Sequence, residues 1–490
     1  MKVDYQAGII GTGFGGLIAA LELKNSGRDS FVIFERAAEP GGTWRDNIYP
    51  GCGCDVRSNL YSISSQLNPN WGSSYSSQPE ILQYLKDVIA NNDLQKHIRY
   101  NSNIVQMQFI AAEGCWEITD QNNNTYRVKM MILATGPYNY PYIPVFPGEE
   151  TFEGKKFHSY HWDKTVDVSG KKVAVIGTGA SAIQIVPQIA QLAEQLTVFQ
   201  RTPAWITSRN NKQATPVKKW LFRHLPFTQK ISREGVYWFN EFIGKSFVGN
   251  DKINNLITQW ALKKLKDEVK DPAIRRKLVP NYKIGCKRIL VSDDFYPTFN
   301  RPNVKLVTRN ITQITKHEVH TKGKAYEADI IILATGFIAA DINPHIKVAG
   351  LEGHLLAEEW GKTGAEAYKG ITVSGYPNMA LILGPNTGLG HSSVVHMMES
   401  QMEYIMQYIK KLDKLGENGY LDVKPEAQKA YNDDLQAKFK NTVWASGCKS
   451  FYMNKEGKNT TLYPRLTREY RQETKRFDEA SFVAVGASVK

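Results

Sequence analysis

Cysteine is scarce in this chain: five residues in 490, with no CxxC or CxxxxC pair among them. The shortage excludes a disulfide scaffold, a zinc-type ligand spacing and the redox dithiol of a disulfide oxidoreductase. No metal site is expected, and a reduced, cytoplasmic setting is the default. Cys52 and Cys54 flank a single glycine; a disulfide there would close a very tight ring, so two free thiols are expected. No apolar run reaches the roughly 18 residues that a membrane span needs. The opening residues, MKVDYQAGIIGTGFGG, hold no long apolar core and run straight into a structural motif, which speaks against a cleavable leader. Acidic residues are outnumbered, and the formal net charge is +13. No helix-turn-helix, RNA-binding or zinc-finger signature accompanies that charge. It reads as a solvated basic surface with sites for anionic cofactors, with no nucleic-acid partner and no membrane span expected; contact of the basic insertion with a membrane surface is the less favoured alternative.

What is present points to an α/β protein. A chain of 490 residues is too long for one core, so two or three domains are expected. Residues 6–34 read as strand, tight turn, helix, strand: QAGII, then GTGFGG, then LIAALELKNSG, then SFVIFE. A parallel βαβ unit with glycines at its first turn is the dinucleotide-binding arrangement. The pattern returns at 171–201 as KKVAVIG, TGASAIQIVPQIAQL and QLTVFQR. Each unit has a companion strand ending in Ala-Thr-Gly, VKMMILATG at Gly136 and ADIIILATG at Gly336, which brings backbone close to a cofactor or another strand. Residues 203–283, aromatic, basic and helical in pattern, interrupt the second unit. SSQPEILQYLKDVI reads as a helix with Ser77 as its cap and Pro79 in its first turn. The stripe Met397, Met398, Met402 and Met406 has helical spacing and reads as core.

In the first turn, Gly11 permits the tight bend, Gly13 lets backbone approach a pyrophosphate, and Gly16 allows close helix packing. Glu35, at the end of the second strand, can hold ribose hydroxyls. The second copy is Gly177-Thr178-Gly179 with Ser181 and Ala182, and its strand ends in Gln200, Arg201, Thr202 where the first has an acid. An arginine can pair with a 2′-phosphate that a carboxylate would repel, and Thr202 can donate to it, so this unit should prefer NADPH. The stretch GGTWRDNIYPGCGCD, residues 41–55, is a long constrained loop ending at Asp55. Its carboxylate is either aimed inward or caps a turn.

That loop together with FEGKKFHSYHWD, residues 152–163, resembles the paired fingerprint of type I Baeyer–Villiger monooxygenases. The match runs through Gly42, Trp44, Tyr49, Pro50, Gly51 and Asp55, then Phe152, Gly154, His158, Trp162 and Asp163. Both glycine-rich turns and both Ala-Thr-Gly endings occur in the same order, so the resemblance spans nearly the whole chain. It implies two Rossmann-like domains, one for FAD and one for NADPH, with a helical insertion. The boundaries expected are 1–140 and 341–490 for the FAD domain, 141–204 and 284–340 for the NADPH domain, and 205–283 for the insertion. Gly42, Thr43, Trp44, Gly136 and Gly336 would join the cofactor contacts. His158 and Trp162 would belong to a hinge between the domains. In IGCKRILVSDDFYPTFNRPNV, Arg288 matches the family's catalytic arginine and Lys287 a contact to the NADPH phosphate, with Asp55 orienting the arginine.

The implied reaction uses NADPH and O2 to turn ketones into esters or lactones, with a flavin peroxide acting as an anion; sulfides are a further substrate class. N- or S-oxygenating flavin monooxygenases are the rival, but their second fingerprint ends in an aromatic and a basic residue rather than Trp162-Asp163. A monomer or weak homo-oligomer is expected. One departure concerns Phe337-Ile338, where many relatives carry an acid after the phenylalanine; here Asp341 is the next acid. Trp444 and Tyr463 fall in the C-terminal stretch that resembles the family's lid, without individual roles.

Overall fold

Two buried parallel strands each run into a glycine turn and then a helix, and around each a sheet is assembled. The computed structural model describes residues 3–338, 346–448, 450, 452–454 and 456–486, so Asp341 lies outside the described residues. Strand Tyr5–Ile10 leads into helix Phe14–Asn25 and lies parallel between Phe31–Phe34 and Thr125–Leu133. This sheet has eight strands. Two of them arrive from late in the chain: Lys347–Ala349 at one edge, and Met379–Leu381 beside the end of Thr125–Leu133.

The second sheet is wholly parallel, in the order Val304–Val307, Gln195–Phe199, Lys172–Ile176, Ile330–Leu333, Lys155–His158. Its inner strands KVAVI and IIIL are continuous apolar runs because helices or chain cover both faces. Helix Ala180–Leu192 follows its glycine turn. The fold is α/β with two dinucleotide-binding units, as the sequence implied.

Between Gln195–Phe199 and Val304–Val307 the chain leaves the sheet for four helices in succession, Pro216–His224, Pro226–Gly244, Asp251–Glu268 and Pro272–Leu278, with the short Phe295–Thr298 after them. Three begin with proline, whose missing N–H costs nothing in a first turn. Thr215, Asn250 and Asp271 cap three of the four by accepting backbone N–H bonds.

Some local readings change in the fold. Helix Gln78–Asn91 has Pro79 in its first turn, but Ser77 does not cap it through its side chain. Instead, Ser77 backbone forms an antiparallel bridge to Gly53. The four methionines are buried along helix Val394–Leu412. Trp444 and Tyr463 are also core residues, packed around Phe247 from the insertion. Cys52 and Cys54 are free and buried. Burial pushes the Cys52 thiol up to about 12 and raises Cys54 further, so neither is a reactive thiolate. No spacing pairs the other cysteines, yet Cys286 is joined to Cys448 across 162 residues.

Candidate active site

The steric logic of the two turns repeats. Gly11 and Gly177 both have positive φ, 103° and 120°. A side chain on Gly11 would also stand 2.7 Å from the Ala134 carbonyl oxygen, and one on Gly177 would overlap that of Ala334. These alanines open the two Ala-Thr-Gly endings. Ala134 N–H donates to Ile10 O at 3.0 Å and Ala334 N–H to Ile176 O at 2.9 Å. Each such strand end therefore braces its own nucleotide turn.

Space is left where a cofactor would need it. A Cβ on Gly13 would meet only the Gly42 Cα, at 4.0 Å, and one on Gly179 would meet nothing within 4 Å. Each of these glycines immediately precedes its helix, whose first N–H groups are unpaired. Gly42 leads into the short helix Thr43–Asp46, where Trp44 is buried and donates its indole N–H to the Tyr61 hydroxyl. Gly136 and Gly336 both turn with positive φ at the ends of their strands.

The strand ends differ as the sequence predicts. Glu35 is 3% exposed and accepts from Thr12 N–H at 3.1 Å, Thr12 Oγ1 at 2.5 Å and Arg45 Nη1 at 2.7 Å. At the corresponding place, Gln200 is buried and donates to Lys277 O, Arg201 is exposed, and Thr178 Oγ1 donates to Thr202 O at 3.0 Å. Burial lowers the Lys287 ammonium, and the charge of Arg201 lowers it further. Two neighbouring cations at a strand end suit an anionic group.

Asp55 and Arg288, 233 residues apart, form a two-pronged ion pair: Nε to Oδ2 at 2.8 Å and Nη2 to Oδ1 at 2.7 Å. The Asp55 charge raises the Arg288 guanidinium above its ordinary value against the opposing effect of burial, with Tyr138 and Tyr452 adding to the rise. The Arg288 side chain keeps 32% exposure, so the pair is held yet reachable. Of the two readings left open for Asp55, the inward carboxylate is the observed one.

Both fingerprint stretches lie where the two sheets meet. In the first, the Tyr49 hydroxyl donates to Gln184 Oε1 at 3.1 Å, and Gln184 Nε2 donates to Gly53 O at 2.9 Å. Gly51 presses so closely on this helix that a Cβ would stand 2.6 Å from the Gln184 carbonyl oxygen. The partner helix, Ala180–Leu192, belongs to the second nucleotide unit, and Ser181 lies in its first turn. In the second stretch, Lys155–His158 is an edge strand of the second sheet, while Tyr160 reaches the first domain. Its hydroxyl accepts from Arg36 Nη2 at 2.8 Å and donates to Asp46 Oδ2 at 2.9 Å. Trp162 stands edge-on to Phe157 at 5.3 Å. Tyr160 and Gln184 were missed by sequence reasoning; Tyr160 at least lay inside the quoted fingerprint.

His158 is buried, accepts from Tyr160 N–H through Nδ1 at 3.1 Å and packs edge-on against Phe337 at 5.7 Å. Burial, aided by the charge of His161, lowers its pKa from 6.5 to about 4. Between those values the unfolded chain binds more protons than the folded one. The stabilisation is whole above pH 6.5 and is lost as pH falls through about 4. His158→Gln should therefore lose less thermal stability than the parent protein between pH 7 and pH 4.5. Equal losses in Tm would remove His158 as a source of acid sensitivity; buried His396, lowered to about 3, acts in both proteins alike.

Two parallel nucleotide-binding units, with an arginine–carboxylate pair drawn from both halves of the chain, define a flavoprotein oxidoreductase of the two-dinucleotide type. Residues 8–234 match the family described as pyridine nucleotide-disulphide oxidoreductase. A Baeyer–Villiger monooxygenase of Streptomyces coelicolor is 42% identical over 97% of this chain and 91% of its own length. One from Pseudomonas aeruginosa is 41% identical over 97% and 90%. Among solved structures, OTEMO in complex with FAD and NADP superposes with a TM-score of 0.88 at 26% identity, covering 99% of this chain and 100% of that one. A closed cyclohexanone monooxygenase superposes at 0.86 with 27% identity and the same coverage. The chain belongs to the Baeyer–Villiger monooxygenase family, and it is an FAD-containing, NADPH-dependent enzyme of that family.

Proposed function

We propose that this enzyme oxygenates ketones to esters or lactones with NADPH and O2, and that Arg288 is its catalytic cation. The observation that carries the reading is the two-pronged Arg288–Asp55 pair. Bound FAD supplies the redox chemistry that takes hydride from NADPH and activates O2. Around it, Gly11, Gly13 and the first turn of Phe14–Asn25 would hold the FAD pyrophosphate, and Glu35 its ribose. Gly177, Gly179 and helix Ala180–Leu192 would hold the NADPH pyrophosphate, with Arg201, Thr202 and Lys287 toward the 2′-phosphate.

Ketone oxygenation needs an anionic oxygen nucleophile, and negative charge then builds on the attacked carbonyl oxygen. A guanidinium stays charged at any working pH, and Asp55 keeps this one oriented. Arg288 can therefore favour both charges. Tyr160, Gln184 and Tyr49 would set how the two nucleotide units sit during turnover, with His158 and Trp162 in the hinge. A cytoplasmic setting, where NADPH is supplied, and a monomer or weak homo-oligomer complete the reading.

A panel of linear, cyclic and aryl ketones, assayed by mass spectrometry beside a sulfide, tests it. Esters or lactones one oxygen heavier than the ketone are expected; a sulfoxide with no ketone product would favour N- or S-oxygenation instead. The cofactor preference has its own test. Arg201→Ala removes a charge-assisted contact of about 1.5–3 kcal/mol, so the KM for NADPH should rise about 10- to 100-fold while that for NADH barely moves. Equal rises for both would reject a 2′-phosphate role.

A further inference from the structure

Helix Pro226–Gly244 is turned inside out. Its buried side is polar: Gln229, Arg233 and Glu241 are each at most 4% exposed. Arg233 Nη1 donates to the carbonyls of Asn59, Leu60 and Ser62 at 2.9, 3.1 and 2.8 Å. Gln229 donates to Asn68 O at 2.7 Å, and Glu241 accepts from Thr467 N–H at 3.2 Å. The side facing away from the protein is apolar instead. Phe227, Ile231, Trp238, Phe239 and Phe242 are between 48% and 65% exposed. The preceding helix, Pro216–His224, packs against it and adds Trp220, itself 56% exposed. Residues spaced 4, 7 and 11 along a helix share one face, so these side chains form a stripe, interrupted by exposed Glu234 and Gly235 between Ile231 and Trp238. Stripes of this kind mark interaction surfaces.

The surroundings of the stripe choose the partner. On the two helices that carry the stripe, residues 216–244, the chain has five Lys and Arg against two Asp and Glu, a net +3. Exposed tryptophans and phenylalanines fringed by lysines are what an anionic phospholipid interface accepts: rings at the headgroup boundary, ammonium groups at the phosphates. A symmetric contact with a second copy would set like charge against like charge. We propose that the outer face of the insertion seats the enzyme on an anionic phospholipid surface. No helix among the described residues is long and apolar enough to cross a membrane, so the contact is lateral. The sequence reading of the basic surface as merely solvated did not include which way this helix faces.

The test is flotation of the FAD-loaded full chain with phosphatidylcholine vesicles and with vesicles containing phosphatidylglycerol. Binding to the anionic vesicles, weakened by salt and little seen on phosphatidylcholine alone, is expected. Ile231→Ser/Phe239→Ser should weaken it about tenfold or more, with flavin content and NADPH oxidation unchanged because both side chains are exposed. Lys219→Glu/Lys230→Glu, which leaves the apolar stripe intact, should weaken it independently. Three results would overturn the proposal: no binding to anionic vesicles, binding by both variants as strong as the parent protein's, or a concentration-dependent dimer that the first variant abolishes while vesicles bind nothing.

Discussion

Arg288→Ala is expected to retain NADPH-driven flavin reduction and to lose ester formation by about two to three orders of magnitude, the usual loss on removing one donor that meets developing negative charge. The two half-reactions separate because hydride delivery to the flavin builds no oxyanion at this point, whereas oxygen insertion needs one twice. The Asp55 carboxylate would be left without its two-pronged partner, so the variant's fold must be checked by flavin content and Tm. Arg288→Lys sharpens the reading. It keeps a charge but loses the fork, so partial activity would assign the effect to charge and none would assign it to geometry. Anaerobic stopped-flow for reduction and product quantification under air make the two measurements. Near-parental ester formation by the alanine variant would end the assignment.

Gly16→Ala should be the most damaging single methyl group in the chain. A Cβ there would overlap the Gly11 carbonyl oxygen, which belongs to the backbone of the same turn and cannot swing away. The helix must back off from its strand, and a loss above about 4 kcal/mol is expected, as for severe overpacking. The readout is expression without bound flavin and a collapsed Tm. Gly179→Ala is the contrast. Its added methyl meets no protein atom within 4 Å, so Tm should hold while NADPH affinity falls. A folded Gly16→Ala protein with its full complement of FAD would show that the first turn is looser than its geometry implies.

Much of this was legible from residue types alone, because the signals are steric. A glycine at a positive φ or against a carbonyl has no substitute, so both turns announce themselves, and the acid-to-arginine change between Glu35 and Arg201 follows from charge. The Arg288–Asp55 pair was legible only through family resemblance, since nothing local links residues 233 positions apart. The Cys286–Cys448 pair had no signal of any kind: each cysteine stands alone in its stretch. Ser77 had the right type for a cap, but its neighbourhood gave its backbone another partner. For helix Pro226–Gly244 the period reveals two faces but not which one turns inward. That choice belongs to carbonyls at residues 59–62, far off in sequence.

The late arrival of Met379–Leu381 beside the end of Thr125–Leu133 constrains synthesis itself. A ribosome must deliver all of the second nucleotide unit before the first can close over Ala134, the residue that braces Gly11. Until then the nascent chain carries an open, apolar sheet margin, and any transcript cut short before residue 379 would leave that margin permanently available to other unfinished chains.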